Sequence, residues 1–212
     1  MPEMTAAREA ILNGIRATND GVNPSMRESG YRAISRRYQQ AASMDHETIL
    51  KIWIERLRDY DARIFETAQQ GVASAITEAL HAHQQKSAVV SDDFPQQFLP
   101  PGLSWQREST ATADQLHTAE GAISTCEVAI AHTGTIILKG ARTLTLLPDH
   151  YLCVVHEDQV VETVPEAIAE LAKSATQPLT FISGPSATAD IEMTRIRGVH
   201  GPRYLDVVLV RN

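Results

Sequence analysis

From Ser87 to the last residue the chain repeats one pattern: a short apolar run rich in Val, Ile, Leu and Thr, then a cluster of turn residues. The runs are SAVVSDD (87–93), CEVAIAHTGTIILKG (126–140), TLTLLPDHYLCVVHEDQVV (143–161), PLTFISG (178–184) and YLDVVLVRN (204–212). Segments this short and this rich in β-branched residues read as strands rather than buried helices. One helical segment, VPEAIAELAKSA (164–175), interrupts them; Thr163 precedes it, and Pro165 and Glu166 occupy its first turn, an arrangement that starts helices. Strands alternating with helix indicate an α/β protein with a partly parallel sheet. The close succession of AIAHTGTIILKG and TLTLLP adds local antiparallel hairpins, so the sheet is expected to be mixed.

The front of the chain reads as helix. Thr5 caps a first segment that ends near Asn19, Asp20 and Gly21. A second begins after Pro24, with Ser25 as cap, Tyr31, Ile34 and Tyr38 along one side, and Arg32, Arg36 and Arg37 along another. Asp45 caps a third, HETILKIWIERLRDY, whose buried stripe is Ile49, Ile52, Trp53 and Leu57. ARIFETA (62–68) is a strand candidate, and the next helix carries Val72, Ala75, Ile76 and Leu80. The Pro-rich DDFPQQFLPPGLSWQRE (92–108) reads as an irregular surface loop.

Charge narrows the function. The formal net charge is −7, which argues against general nucleic-acid binding. Cys126 and Cys153 are the only cysteines, both in apolar runs and without a CxxC spacing. Thiolate-held zinc or an iron–sulfur cluster in this chain is therefore not expected, and both read as buried free thiols. The opening MPEMTAAREAILNGI is amphipathic, unlike a secretory leader. No apolar run approaches the ~20 residues that span a bilayer. A cytoplasmic protein without membrane insertion is expected.

Two turns carry candidate chemistry. In IAHTGTIIL (130–138), Gly134 lets backbone approach a ligand, while Thr133 and Thr135 offer hydroxyls. In SGPSATADIE (183–192), Gly184 and Pro185 make a corner, Ser186 and Thr188 can donate to an anion, and Asp190 and Glu192 start a possible helical turn. Ligands in open α/β sheets usually sit beyond the carboxyl ends of strands. The same residues also describe a strand turning into a capped helix, and both alternatives stand. His200, between glycines in GVHGP (198–202), is the acid/base candidate. His117, His132, His150 and His156 stand singly, and His81 and His83 read as solvated. No metal site is expected. Walker A, GxGxxG and GxSxG motifs are all absent.

AIAHTGTIIL (129–138), LLPDHYLCVV (146–155), SGPSATADIE (183–192) and GVHGPRYLDVVLV (198–210), in this order, resemble the LUD-domain family. The resemblance implies a fold similar to that of glucosamine-phosphate deaminase, ribose-phosphate isomerase and CoA transferases, a mixed α/β sheet with helices on both faces. It divides the chain into a helical N-terminal extension (1–60) and an α/β domain (61–212). It also implies a role in oxidising L-lactate to pyruvate beside partner subunits that carry iron–sulfur clusters, with no cofactor in this chain. The cleft would take a small organic acid or phosphorylated molecule, bound by Thr133, Gly134, Thr135, Gly184, Ser186 and Thr188. Asp190 and Glu192 would stand behind them. The sequence departs from the family where His132 replaces an acidic residue and Ala187 replaces a cation. Two alternatives remain: an enzyme acting alone on a sugar phosphate or acyl-CoA, and an assembly or regulatory protein that docks through Arg32, Arg36 and Arg37.

Overall fold

The computed structural model describes residues 2–19, 24–140, 142–172, 177–189 and 195–212. They form two compact units, Met1–Tyr38 and Gln39–Asn212.

The first unit holds helices α1 (Pro2–Asn19) and α2 (Pro24–Ala33). Helix α1 begins ahead of Thr5 and α2 ahead of Ser25, so neither residue is the cap expected of it. Because α2 ends at Ala33, Arg36 and Arg37 lie beyond it and share no helical face with Arg32. Arg32 pairs with Glu28 at 2.9 Å, and the Arg36 guanidinium stacks 4.7 Å from the Tyr31 ring centre.

The second unit opens with α3 (His46–Asp59). Asp45 caps it as expected, accepting from the Thr48 amide at 3.0 Å. Its face of Ile49, Leu50, Trp53, Ile54 and Leu57 is buried in the core of this unit. The division expected at residue 60 therefore moves to between Tyr38 and Gln39: a helix whose apolar face builds the α/β core belongs with that core.

In chain order there follow β1 (Arg63–Ala68), α4 (Val72–Ala82), β2 (Ser87–Val90), β3 (Ser104–Arg107), α5 (Ala113–Thr118) and β4 (Ala122–Thr125). Next come β5 (Val128–Ile130), β6 (Thr135–Lys139), β7 (His150–His156), β8 (Val160–Val161) and α6 (Val164–Leu171). The last elements are β9 (Leu179–Ile182), β10 (Ala187–Ala189), β11 (Arg195–Arg197) and β12 (Tyr204–Arg211).

The fold is the mixed α/β class expected, with the two kinds of pairing largely separated. A six-stranded sheet, β1-β12-β7-β4-β2-β3, is parallel throughout. A four-stranded sheet, β8-β5-β6-β9, contains the antiparallel pairs β5–β6 and β6–β9. Strands β10 and β11 form a separate antiparallel pair. Strand β12 sits inside the large sheet and is apolar on both faces, as parallel strands must be. Leu205, Val207 and Leu209 pack toward α3 and the smaller sheet, whereas Val208 and Val210 pack toward α4. Each such side chain contributes about 1.5–3 kcal/mol when fully buried. The one charged residue in its buried run is Asp206.

Three expectations fail locally. The Pro-rich segment contains β3 and buries Phe94 and Phe98, because its aromatic residues cover the α4 side of the sheet. TLTLLP is a short 3-10 turn (Arg142–Thr145) and contributes no strand. Strand β4 lies in AIST, just ahead of the run beginning at Cys126. No helix among the described residues is long and apolar enough to cross a membrane.

Candidate functional site

Strands β5 and β9 both end at the edge of the smaller sheet where β6 begins, since Ile130 pairs with Thr135 and Ile136 with Ile182. The two turns singled out in the sequence therefore converge. The hydroxyls of Thr133 and Thr135 stand 2.7 Å apart, and Thr135 stands 2.7 Å from Ser183. A chain of three hydroxyls joins one turn to the other.

Both glycines have a packing reason to be there. Gly134 adopts φ +59, and a Cβ on it would lie 2.7 Å from the Arg56 Cβ of α3. Gly184 adopts φ +117, and its Cβ would lie 2.6 Å from the Tyr60 Cβ. Only glycine takes such backbone angles without strain while letting a neighbour come this close. The turns thus seat the carboxyl end of α3 against the smaller sheet.

Beyond that seat the second turn lines a cavity of about 190 Å³. Gly184, Ser186 and His200 border it, with Ser183 and Thr145 adding hydroxyls and Phe181 an apolar wall. Its floor is Tyr151 and Leu205, at the amino ends of β7 and β12. The cavity thus lies beyond the carboxyl end of β9 but at the amino edge of the parallel sheet, where the expectation from open α/β sheets had not placed it. Ser186 is bound three times to the GVHGP turn: its amide donates to Pro202 O at 2.8 Å, its carbonyl accepts from Gly198 N at 2.8 Å, and its hydroxyl accepts from His200 N at 3.2 Å. Among the described residues no Lys or Arg lines it, and an anion here would meet hydroxyls, backbone donors and the His200 ring.

The remaining predicted residues fall elsewhere. Thr133, Gly134 and Thr135 do not line the cavity; Thr135 is buried and reaches its wall through Ser183. Thr188 lies on β10, paired with Ile196 of β11, and is not part of the lining. Asp190 and Glu192 lie outside the described residues.

A second polar opening, of about 580 Å³, sits beyond the carboxyl ends of β2 and β3, among Asp92, Asp93, Glu108 and Lys139. Burial raises the Glu108 carboxyl, and the nearby Asp92 and Asp93 charges add to the effect. Asp92 and Asp93 themselves are exposed.

The structure also assembles a polar cluster that spacing along the chain did not reveal. His150 and Asp206 are each only 1% exposed. His150 Nε2 lies 3.0 Å from Asp206 Oδ2, and Arg63 Nε donates to Asp206 Oδ1 at 2.8 Å. His83, expected to be solvated, instead packs with its ring centre 4.2 Å from that of His150 and 4.6 Å from that of Tyr204. Burial pushes Asp206 upward, but hydrogen bonds from His150 and Arg63 outweigh it and hold the carboxyl below the ordinary range. The signal in the sequence was Asp206 itself, the lone charge inside YLDVVLV, since a carboxylate buried in a central strand needs partners.

The model of the LUD domain family matches residues 2–210. Lactate utilization protein C of Deinococcus radiodurans is 38% identical over 181 residues, covering 82% of this chain and 84% of that protein. Lactate utilization protein C of Geobacillus thermodenitrificans is 29% identical over 196 residues, covering 80% of this chain and 81% of its own. A crystal structure of a DUF162 family protein from Deinococcus radiodurans superimposes with a TM-score of 0.69 at 35% identity, over 79% of this chain and 99% of that one.

Proposed function

Since this chain belongs to the LUD domain family, we propose that it is an accessory component of a cytoplasmic system that oxidises L-lactate to pyruvate, beside partner subunits carrying iron–sulfur clusters. The observation that carries this reading is the 38% identity to a lactate utilization protein C over most of both chains.

The chemistry of the chain supports a division of labour. Cys126 and Cys153 are buried free thiols, and clusters are ordinarily held by four thiolates. Electrons then travel through the partners, and this subunit's contribution is to bind. The cavity of about 190 Å³ between the SGPS and GVHGP turns suits a small organic acid. The hydroxyls of Ser183 and Ser186 and the His200 ring would meet its carboxylate, and Phe181 its apolar end.

Deleting the gene and growing the strain on L-lactate as sole carbon source tests the role. Growth should fail, return with the wild-type gene, and return poorly with Ser186→Ala/His200→Ala. Pull-down of the tagged chain from lactate-grown cells should bring brown, iron-containing partners with it. Unchanged growth of the deletion strain would remove the proposal.

A further inference from the structure

The cluster at the amino edge of β7 and β12 has the form of a cation site. We propose that His83, His150 and Asp206 bind a divalent transition-metal ion, and that Arg63 is the side chain the ion displaces.

Three ligand-type atoms converge: one each from His83, His150 and Asp206, all within 4.8 Å of one another. The Asp206 oxygen is 3.0 Å from His150 Nε2 and 3.5 Å from His83 Nε2. Two ligands each about 2.0–2.2 Å from one ion stand roughly 3–3.5 Å apart, which these separations match without movement of the strands. Two imidazoles and one carboxylate select zinc, nickel, copper or iron over magnesium or calcium, which prefer all-oxygen shells.

The hydrogen-bond pattern around His150 points to the same place. Gln85 donates through Nε2 to the Glu120 carbonyl, which fixes its amide so that Oε1 faces His150 Nδ1 at 2.7 Å. His150 Nδ1 therefore donates. Its other nitrogen then faces a carboxylate oxygen at 3.0 Å, and two acceptors at that distance repel unless a proton or a metal ion lies between them. An amide oxygen that accepts from Nδ1 is also the usual support for a histidine that ligates through Nε2.

Arg63 marks the position. Its Nη2 contacts Asp206 Oδ2 and donates to His83 Nε2 at 2.7 Å, so a cation already touches two of the three ligand atoms. His83 accepts that bond, which leaves its Nε2 lone pair directed at the cluster. The Arg63 side chain is 42% exposed and can swing into solvent without breaking the core. An opening of about 620 Å³, bordered by His83, His150 and Tyr204, supplies the route from water.

The test uses the purified full-length chain and Zn²⁺ alone, with Mg²⁺ as control. Competition against a chromophoric chelator should show Arg63→Met binding one Zn²⁺ at least tenfold more tightly than wild type. Adding His83→Ala to that variant should cancel the gain. Arg63→Met should melt below wild type and recover with Zn²⁺ but not Mg²⁺, because a ligand that binds only the folded state stabilises it. In wild type carrying labelled histidines, the ring resonances of His83 and His150 should be the first to move on Zn²⁺ addition. No gain in Arg63→Met, a gain that survives loss of His83, or earlier movement of other histidines would each overturn the site. None of these readouts involves lactate, so the result stands apart from the proposed role in its oxidation.

Discussion

The backbone amide of His200 donates to the Ser186 hydroxyl across 3.2 Å. With the two backbone bonds from Ser186 to Pro202 and Gly198, both 2.8 Å, it ties the SGPS corner to the GVHGP turn and shapes one wall of the cavity. Ser186→Ala removes only the hydroxyl bond and leaves the backbone pair. A net cost of about 1 kcal/mol is expected, read as a lowered urea midpoint with an unchanged slope. A change in slope would instead mean that the hydroxyl holds the whole turn together.

Gly134 meets α3 more closely than any other side chain could. Replacement by Ala puts a Cβ 2.7 Å from the Arg56 Cβ and 3.2 Å from the Arg56 carbonyl carbon, at φ +59. Backbone strain of this kind costs about 1–3 kcal/mol, and the contact with α3 adds to it. Gly134→Ala should therefore lower the thermal midpoint by several degrees. A midpoint equal to wild type would show that α3 shifts freely, and the seat described for the two turns would not exist.

Trp53 is fully buried, and its indole N–H has no hydrogen-bond partner among the described residues. Truncation to Ala should cost about 3–5 kcal/mol, as large aromatic deletions in cores do. Trp53→Phe also loses volume but removes a buried donor that makes no bond among the described residues, and the two effects oppose each other. Trp53→Phe is expected within about 1 kcal/mol of wild type by denaturant unfolding. Equal losses for Phe and Ala would mean that the indole nitrogen is bonded after all.

These positions show what the sequence made legible. Helices announce themselves locally: Asp45 caps α3, the stripe of Val72, Ala75, Ile76 and Leu80 buries α4, and Glu166 accepts from the amide and hydroxyl of Thr163 to begin α6. The glycine turns were visible too, because left-handed backbone requires glycine wherever another chain comes close. Pairing was not. A continuous apolar run such as Tyr151–Val155 reads the same in one sheet or two, so the split into a parallel and a mixed sheet was hidden. Strand β3 was masked by the prolines ahead of it, and the 38/39 boundary by a helix that looks like its N-terminal neighbours. The His83, His150 and Asp206 cluster joins residues from α4's exit, β7 and β12, and nothing in their spacing along the chain foretells it. For the cavity, the sequence indicated the SGPS and GVHGP turns but not that the TGT turn stops short of the lining.

Glu162 is the carboxylate on which the start of the second unit is anchored. It is 1% exposed and accepts from the Ser43 amide at 2.6 Å, the Met44 amide at 3.0 Å, the Ser43 hydroxyl at 3.0 Å, and the Gln39 side-chain amide. These donors, the Ser43 amide foremost, hold its pKa at about 2 against an ordinary 4.5. The folded-state value lies below the unfolded one, so this contribution is complete above pH 4.5 and disappears as the pH falls through about 2. Glu162→Gln should accordingly be less stable than wild type at neutral pH. Its deficit should shrink steadily as acid is added across that window, because wild type is then protonated into a similar neutral group. Urea unfolding of both proteins at several pH values between 7 and 2 measures the difference. A deficit that stays constant with pH would mean that residues 39–44 are held by something other than the charge on Glu162.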